Sequence, residues 1–329
     1  MQRAKFLTLT VGLVLILGLA VSAAAGTAYQ HGAVFVSLGD GTVSEYDTRG
    51  NFVQSFSDMS SNPFGTGLAF DNAGKLYLTN FSAGSVSQFD HFGRVRNNLF
   101  VTLLSNPQSI SFGGNGTFWV GDAGTDTINH YDAHGNLMQT FSSSTPVGWI
   151  DALNNGKIAF TSDNSVLTLN PATGNITLFA SPIPGTAANA LVQITSGAFT
   201  GDFLVAAAQS VVLLNHNGNI IESYSVRSSP LSDYVGVALD SSGTAFWVSD
   251  PSVNEVDEVD LASGSIKTAF FPGLSNLQIG GLAVYTGPTI LPIPEPGTLM
   301  LFGSAVFGLA ARSRKRAVGP QQPGISLQR

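Results

Sequence analysis

Between residues 33 and 286 the chain is written in short apolar runs bounded by Gly, Asn, Asp and Ser, and no helix of useful length is suggested there. Many of the runs alternate apolar with polar positions, the rhythm of a strand whose two faces differ. The clearest set is VFVSL (34–38), LYLTN (76–80), FWVGD (118–122), IAFTS (158–162), FLVAA (203–207) and FWVSD (246–250). Each is followed by a further run (TVSEYD, SVSQFD, TINHYD, SVLTLN, SVVLLN, EVDEVD), a turn ending in Gly, and a last run that starts just after that Gly. The turn glycines Gly50, Gly93, Gly135, Gly174, Gly218 and Gly264 recur at intervals of 43, 42, 39, 44 and 46 residues. A four-strand unit with a period near 43 predicts the blades of a β-propeller.

A fourth kind of run precedes the clearest one: GLAFD (67–71), SISFG (109–113), GWIDA (148–152), QITSG (193–197) and GVALD (236–240). The first copy lacks it, and the missing piece stands after the sixth copy as Gly280 to Tyr285. The expectation is an all-β fold: six blades over 26–290, closed by a C-terminal strand joining the N-terminal blade so that no open sheet edge remains.

The two ends read differently. Arg3 and Lys5, the apolar run Phe6 to Ala20 and the small residues up to Ala23 and Ala25 form a signal peptide over 1–25, cleaved at an A-x-A site. At the other end come Pro294, Glu295 and Pro296, then Thr298 to Ala311 without a charge, then Arg312, Arg314, Lys315 and Arg316. At about 1.5 Å per residue the 298–311 stretch reaches about 21 Å as a helix, short of a hydrocarbon core of about 30 Å. Helices are expected at both ends, the C-terminal one a short transmembrane segment with the basic cluster snorkelling on the inner-membrane side. Residues 317–329 read as a disordered tail.

The order of these C-terminal features resembles the PEP-CTERM sorting tail of exported Gram-negative bacterial proteins. The resemblance implies export, an exosortase and the secretion machinery as partners, passing contact with the inner membrane, and delivery to the cell surface or extracellular matrix. The blade text, Phe118 to Asp122 through Tyr131, Asp132 and Gly135 above all, is similar to NHL-type repeats, and lactonase-like propellers share its general look. That likeness speaks for a fold and leaves activity open.

Composition narrows the function classes. Of 329 residues 11% are charged, with 14 Lys and Arg against 21 Asp and Glu, and half the positive charges lie in the two ends. The body, 26–290, keeps 7 against 20, a net charge of −13. Nucleic acid is therefore not a partner. The absence of Cys removes disulfides, thiolate zinc sites and thiol catalysis.

Candidate chemistry is sparse. Asn80, Asp122, Asp163 and Asp250 stand at or just beyond the ends of equivalent runs, where a propeller brings strand ends to one channel mouth. Such oxygen donors suit Ca²⁺ or a metal-activated water in a lactonase-like hydrolase. The simpler reading is strand-to-turn capping, since Asn and Asp bond nearby backbone there. Asp250, Glu255, Asp257, Glu258 and Asp260 read as a solvated blade edge. His91, His134 and His216 fall in turns and His130 on a strand, with no catalytic spacing. Phe81, Phe92, Trp149 and Tyr234 are candidate platforms for sugars. The leading expectation is a non-catalytic binding or scaffold module with no cofactor, meeting an extracellular polysaccharide or surface protein. The alternative is the metal-dependent hydrolase, and more remotely an ice-binding role, for which no regular Thr array is present.

Overall fold

The computed structural model describes residues 26–227, 231–272 and 278–289. Its strands are β1 (Val34–Leu38), β2 (Thr42–Tyr46) and β3 (Phe52–Ser57); β4 (Gly65–Phe70), β5 (Leu76–Asn80), β6 (Ser85–Phe89) and β7 (Val95–Val101); β8 (Pro107–Phe112), β9 (Phe118–Asp122), β10 (Thr127–Tyr131) and β11 (Leu137–Ser142). The series continues with β12 (Ile150–Ala152), β13 (Ile158–Ser162), β14 (Ser165–Asn170) and β15 (Asn175–Ala180); β16 (Ala188–Gln193), β17 (Phe203–Ala207), β18 (Val211–Leu214) and β19 (Ile220–Tyr224); β20 (Gly236–Leu239), β21 (Ala245–Asp250), β22 (Glu255–Asp260), β23 (Ile266–Phe270) and β24 (Ile279–Val284). They form six four-stranded antiparallel sheets, the blades of a propeller. Five are continuous in sequence, and the remaining sheet has the order β24-β1-β2-β3, with Val34 opposite Val284 and Val36 opposite Leu282.

Strands β24, β4, β8, β12, β16 and β20 are innermost, each touching the next around the axis. The second strands, β1, β5, β9, β13, β17 and β21, are buried along their whole length. This is why they are the richest in Val, Ile, Leu, Phe and Trp: both faces pack against neighbouring blades. One such seam joins Tyr29, Phe35, Phe56, Phe70, Phe89 and Tyr285. The outermost strands expose most of their side chains, among them Phe52, Leu137 and Leu178.

The recurring turn has a local cause. Asp132 Oδ1 accepts hydrogen bonds from the N–H groups of His134 and Asn136 at 2.8 and 2.9 Å, while Gly135 follows at φ +83°. An Asp that ties down the turn and a Gly that takes the left-handed bend reproduce the Asp-x-x-Gly text of the repeats. Asp47 with Gly50 and Asp90 with Gly93 do the same.

Three expectations are corrected. The described residues contain no helix, and none is long and apolar enough to cross a membrane. The helices expected at the two ends, including the transmembrane segment at 298–311, fall on residues outside the described ones, and the membrane assignment is withdrawn. The described apolar residues are instead consumed in short paired strands between blades. The inner strand of the fifth blade is Ala188–Gln193 and not 193–197, because Ile194 to Asp202 closes a turn through the Ile194 N–H to Asp202 O and Gly201 N–H to Ile194 O bonds. Finally, Asp250, Glu255, Asp257 and Glu258 are buried rather than solvated. Arg227 reaches over them, donating twice to Asp257 at 2.9 and 2.6 Å and once to Glu255 at 2.5 Å.

Candidate functional site at the channel mouth

The four oxygen donors singled out in the sequence lie one layer out from the channel, on four different blades. Asn80 donates to the buried Asp58 carboxylate and to Ser87 Oγ. Asp122 accepts from the backbone of Ser105 and Asn106, both at 2.8 Å, and from Gly124 at 3.2 Å. Asp163 is exposed at φ +50°, and its carbonyl accepts from the Ala188 N–H. Asp250 Oδ1 accepts from Asp233 N–H, Ser252 N–H and Ser252 Oγ. For Asn80, Asp122 and Asp250 the partner includes the loop that enters the blade from its predecessor, and for Asp163 it is the first residue of the next blade's inner strand, so these residues fasten blade to blade. Among the described residues no group of three or more His, Asp or Glu is placed to hold a metal ion.

Strand register also puts them on the face away from the cavity. Asn80 pairs with Gly65 at the start of the inner strand β4, whereas the channel cavity is lined by Leu68, Ala69 and Phe70 at its end. This cavity, about 340 Å³, opens where all six inner strands finish. Inner-strand positions with equivalent cross-strand partners carry Ala69, Ser111, Asp151, Val192, Ala238 and Ala283. Asp151 is thus the one carboxylate on an otherwise small or apolar ring.

The surroundings of Asp151 are ordered. Ser111 Oγ donates to Asp151 Oδ1 at 3.0 Å and accepts from the Ala152 N–H at 2.9 Å. The Gln193 N–H donates to Asp151 Oδ2 at 2.7 Å. One carboxylate therefore joins β8, β12 and β16 across three blades. Burial pushes its pKa up to about 6, with the Gln193, Ser111 and Ala152 hydrogen bonds pulling partly the other way. A carboxylate oxygen can accept more than one hydrogen bond, and Asp151 lines the cavity. A carboxylate titrating near neutrality in a cleft is matched to proton transfer.

A second cleft of about 600 Å³ adjoins the mouth between blades 3 and 4, sharing Asn72 and Phe112 with it. Its floor holds Trp119 stacked on His130, centroids 3.8 Å apart and planes 3° from parallel. Burial lowers the pKa of His130, which keeps the imidazole neutral at pH 7.

Of the aromatic platforms expected, Tyr234 is fully buried in a seam, where its hydroxyl accepts from the Arg227 N–H at 3.0 Å, so it cannot stack on a sugar. Trp149 lines the mouth though almost wholly buried, and Phe81 and Phe92 are half-buried on loops. Asp151 and the Trp119–His130 pair were missed in the sequence. A signal for the first was available: GWIDA places a charge in a run whose other copies have none at that position.

A model of the PEP-CTERM protein-sorting motif matches residues 292–315. That motif addresses the protein for export and processing toward the cell surface or extracellular space. No curated protein is similar enough in sequence to count as a relative. Solved structures share the propeller. A chain from a crystal structure of a nidogen/laminin complex aligns at a TM-score of 0.65 with 18% identity, over 78% of this chain and 99% of that one. A streptogramin B lyase aligns at 0.58 with 19% identity, over 79% and 86%. Selenomethionine-substituted virginiamycin B lyase from Staphylococcus aureus aligns at 0.55 with 16% identity, over 75% and 83%. At these identities the likeness establishes fold alone. The chain is an exported six-bladed β-propeller that carries a PEP-CTERM protein-sorting motif.

Proposed function

We propose that the exported propeller is an acid–base enzyme of hydrolase or lyase type, with Asp151 as its base, acting on an ester or lactone linkage of a small molecule held in the channel mouth. The observation that carries this reading is Asp151 itself: a carboxylate with a pKa near 6, fixed by Ser111 and Gln193 in a cavity whose other ring positions are uncharged. As base it accepts a proton from a water that attacks the acyl carbon, or from the carbon beside the carbonyl in an elimination; the C–O bond then breaks, and the proton returns to the departing oxygen in the first case or to solvent in the second. Fold likeness to two lyases supports an enzyme in preference to a passive disc. The oxygen-donor set proposed for a metal does not serve this site, because those residues fasten loops on the opposite face.

The protein of this reading is the mature body, 26–290, freed of a 1–25 leader, with the exosortase and secretion machinery as the partners of its tail. A non-catalytic binding module is the second reading, favoured by the alignment that spans 99% of a chain seen in a nidogen/laminin complex. Turnover separates the two. A panel of aryl esters, lactones and cyclic depsipeptides is expected to contain a substrate whose hydrolysis or ring opening falls at least 100-fold in Asp151→Asn, the low end for a general base. Turnover retained in D151N refutes Asp151 as the base, and turnover absent across the panel while a ligand still binds the mouth speaks for the binding module instead.

A further inference from the structure

The cleft between blades 3 and 4 is built for a ligand that the ester chemistry above does not require. Its rim carries the side chains of Asn72, Asn154 and Lys157, exposed residues whose side chains form no hydrogen bond or ion pair among the described residues. Unspent carboxamides offer paired donors and acceptors, and the ammonium offers three donors more. The floor is apolar and flat, formed by the Trp119–His130 stack with Leu153 and Ile158. His130 Nε2 is buried without a partner among the described residues. Such an atom is costly unless a water or ligand hydroxyl satisfies it. The hairpin glycines Gly114 and Gly156 have nothing within 4 Å of where a Cβ would stand, which leaves their backbone open to a bound chain.

No carboxylate lines this cleft, although the body as a whole carries −13. An apolar floor with a neutral amide rim, one cation and a spare imidazole nitrogen matches the alternating C–H faces and hydroxyl edges of a sugar ring. We infer that the blade 3–blade 4 cleft is a saccharide-binding subsite, recruiting a hydroxyl-rich chain of which one unit extends past Asn72 and Phe112 into the mouth. The inference rests on the mouth being a ligand site, since the cleft and the mouth are one trough, and it does not depend on turnover.

The test is calorimetric titration of the purified exported protein with neutral and uronic-acid oligosaccharides of one to six units. Binding is expected to strengthen with length, because a longer chain fills cleft and mouth together. Asn154→Ala and Lys157→Met are each expected to weaken it roughly three- to tenfold, the effect of one lost hydrogen bond. Both residues sit at a hairpin surface, so unchanged melting temperatures are expected. His130→Phe, which keeps the stacked ring and removes the nitrogens, reports on the floor with a similar loss. Asp151→Asn, which alters the mouth and not the cleft, is expected to lower turnover at least 100-fold and to leave in place the affinity of the shortest saccharides, which fill the cleft alone, so that loss of the catalytic reading does not carry this one with it. Failure of the whole panel to bind at millimolar concentration, or binding indifferent to N154A, K157M and H130F, overturns the subsite.

Discussion

Replacing Arg227 by Met tests how far the sixth blade depends on a charge that the sequence hides. Asp257 and Glu255 are 1% and 6% exposed, and the guanidinium over them is one-third exposed. Removing one partner of a buried ion pair costs about 3–5 kcal/mol, because the other charge is left unpaired. Partial exposure of Arg227 reduces this to about 2–3 kcal/mol, or roughly 5–10 °C in melting temperature for a domain of this size. The loss should depend on pH. Glu255 is already displaced upward by burial and by Asp257, with Arg227 pulling it back. Without Arg227 the Glu255 carboxyl rises further above its unfolded value. A raised acid contributes its stability below the unfolded pKa and loses it as pH rises through the folded one. Melts followed by circular dichroism should therefore show R227M close to wild type near pH 4 and at its full deficit by pH 8. Adding Glu255→Gln and Asp257→Asn should recover part of the deficit at pH 8. An equal loss at both pH values would refute the unpaired-charge argument and assign the effect to packing.

Further outcomes follow from other buried groups and turns. Glu45 is fully buried and burial pushes its pKa up to about 7, so Glu45→Gln should stabilise the protein above pH 7 by as much as about 3 kcal/mol and have little effect below pH 4.5; chemical denaturation at both pH values checks this. Gly135 and Gly174 share a positive φ, but an added Cβ meets Phe100 O at 2.7 Å at the first and nothing within 4 Å at the second. Gly174→Ala should cost about 1 kcal/mol and Gly135→Ala clearly more, read from denaturation midpoints. Asp122→Ala strands the N–H groups of Ser105, Asn106 and Gly124, for a loss of about 2–4 kcal/mol together with faster hydrogen exchange at those amides.

The propeller was legible because each blade repeats the same conflict and the same solution. A second strand buried on both faces must be apolar up to the residues that lead into its turn, as Phe118–Val120 and Phe246–Val248 are, and a tight turn must hold Asp and Gly. Legibility failed where the outcome depends on register. Asn80 and Asp122 were rightly placed at strand ends, but which end of the inner strand they meet cannot be read from one strand alone, and it decides that they lie away from the cavity. EVDEVD alternates like an exposed edge, yet its third-layer position and the long reach of Arg227 bury it. In the fifth blade Ile194 copies the spacing of an inner strand while closing a turn. Asp151 stood in plain view within GWIDA; only the six-fold comparison of paired positions shows that it is alone on its ring.

The central claim is that Asp151 at the channel mouth is the working group. The most direct measurement is the pH dependence of turnover on the best substrate of the ester and lactone panel, for wild type and D151N. The account predicts a wild-type rate that rises with pH through a limb near 6, where the base ionises, and a D151N rate at least 100-fold lower with that limb gone. A D151N enzyme with the wild-type rate and the same limb would contradict it.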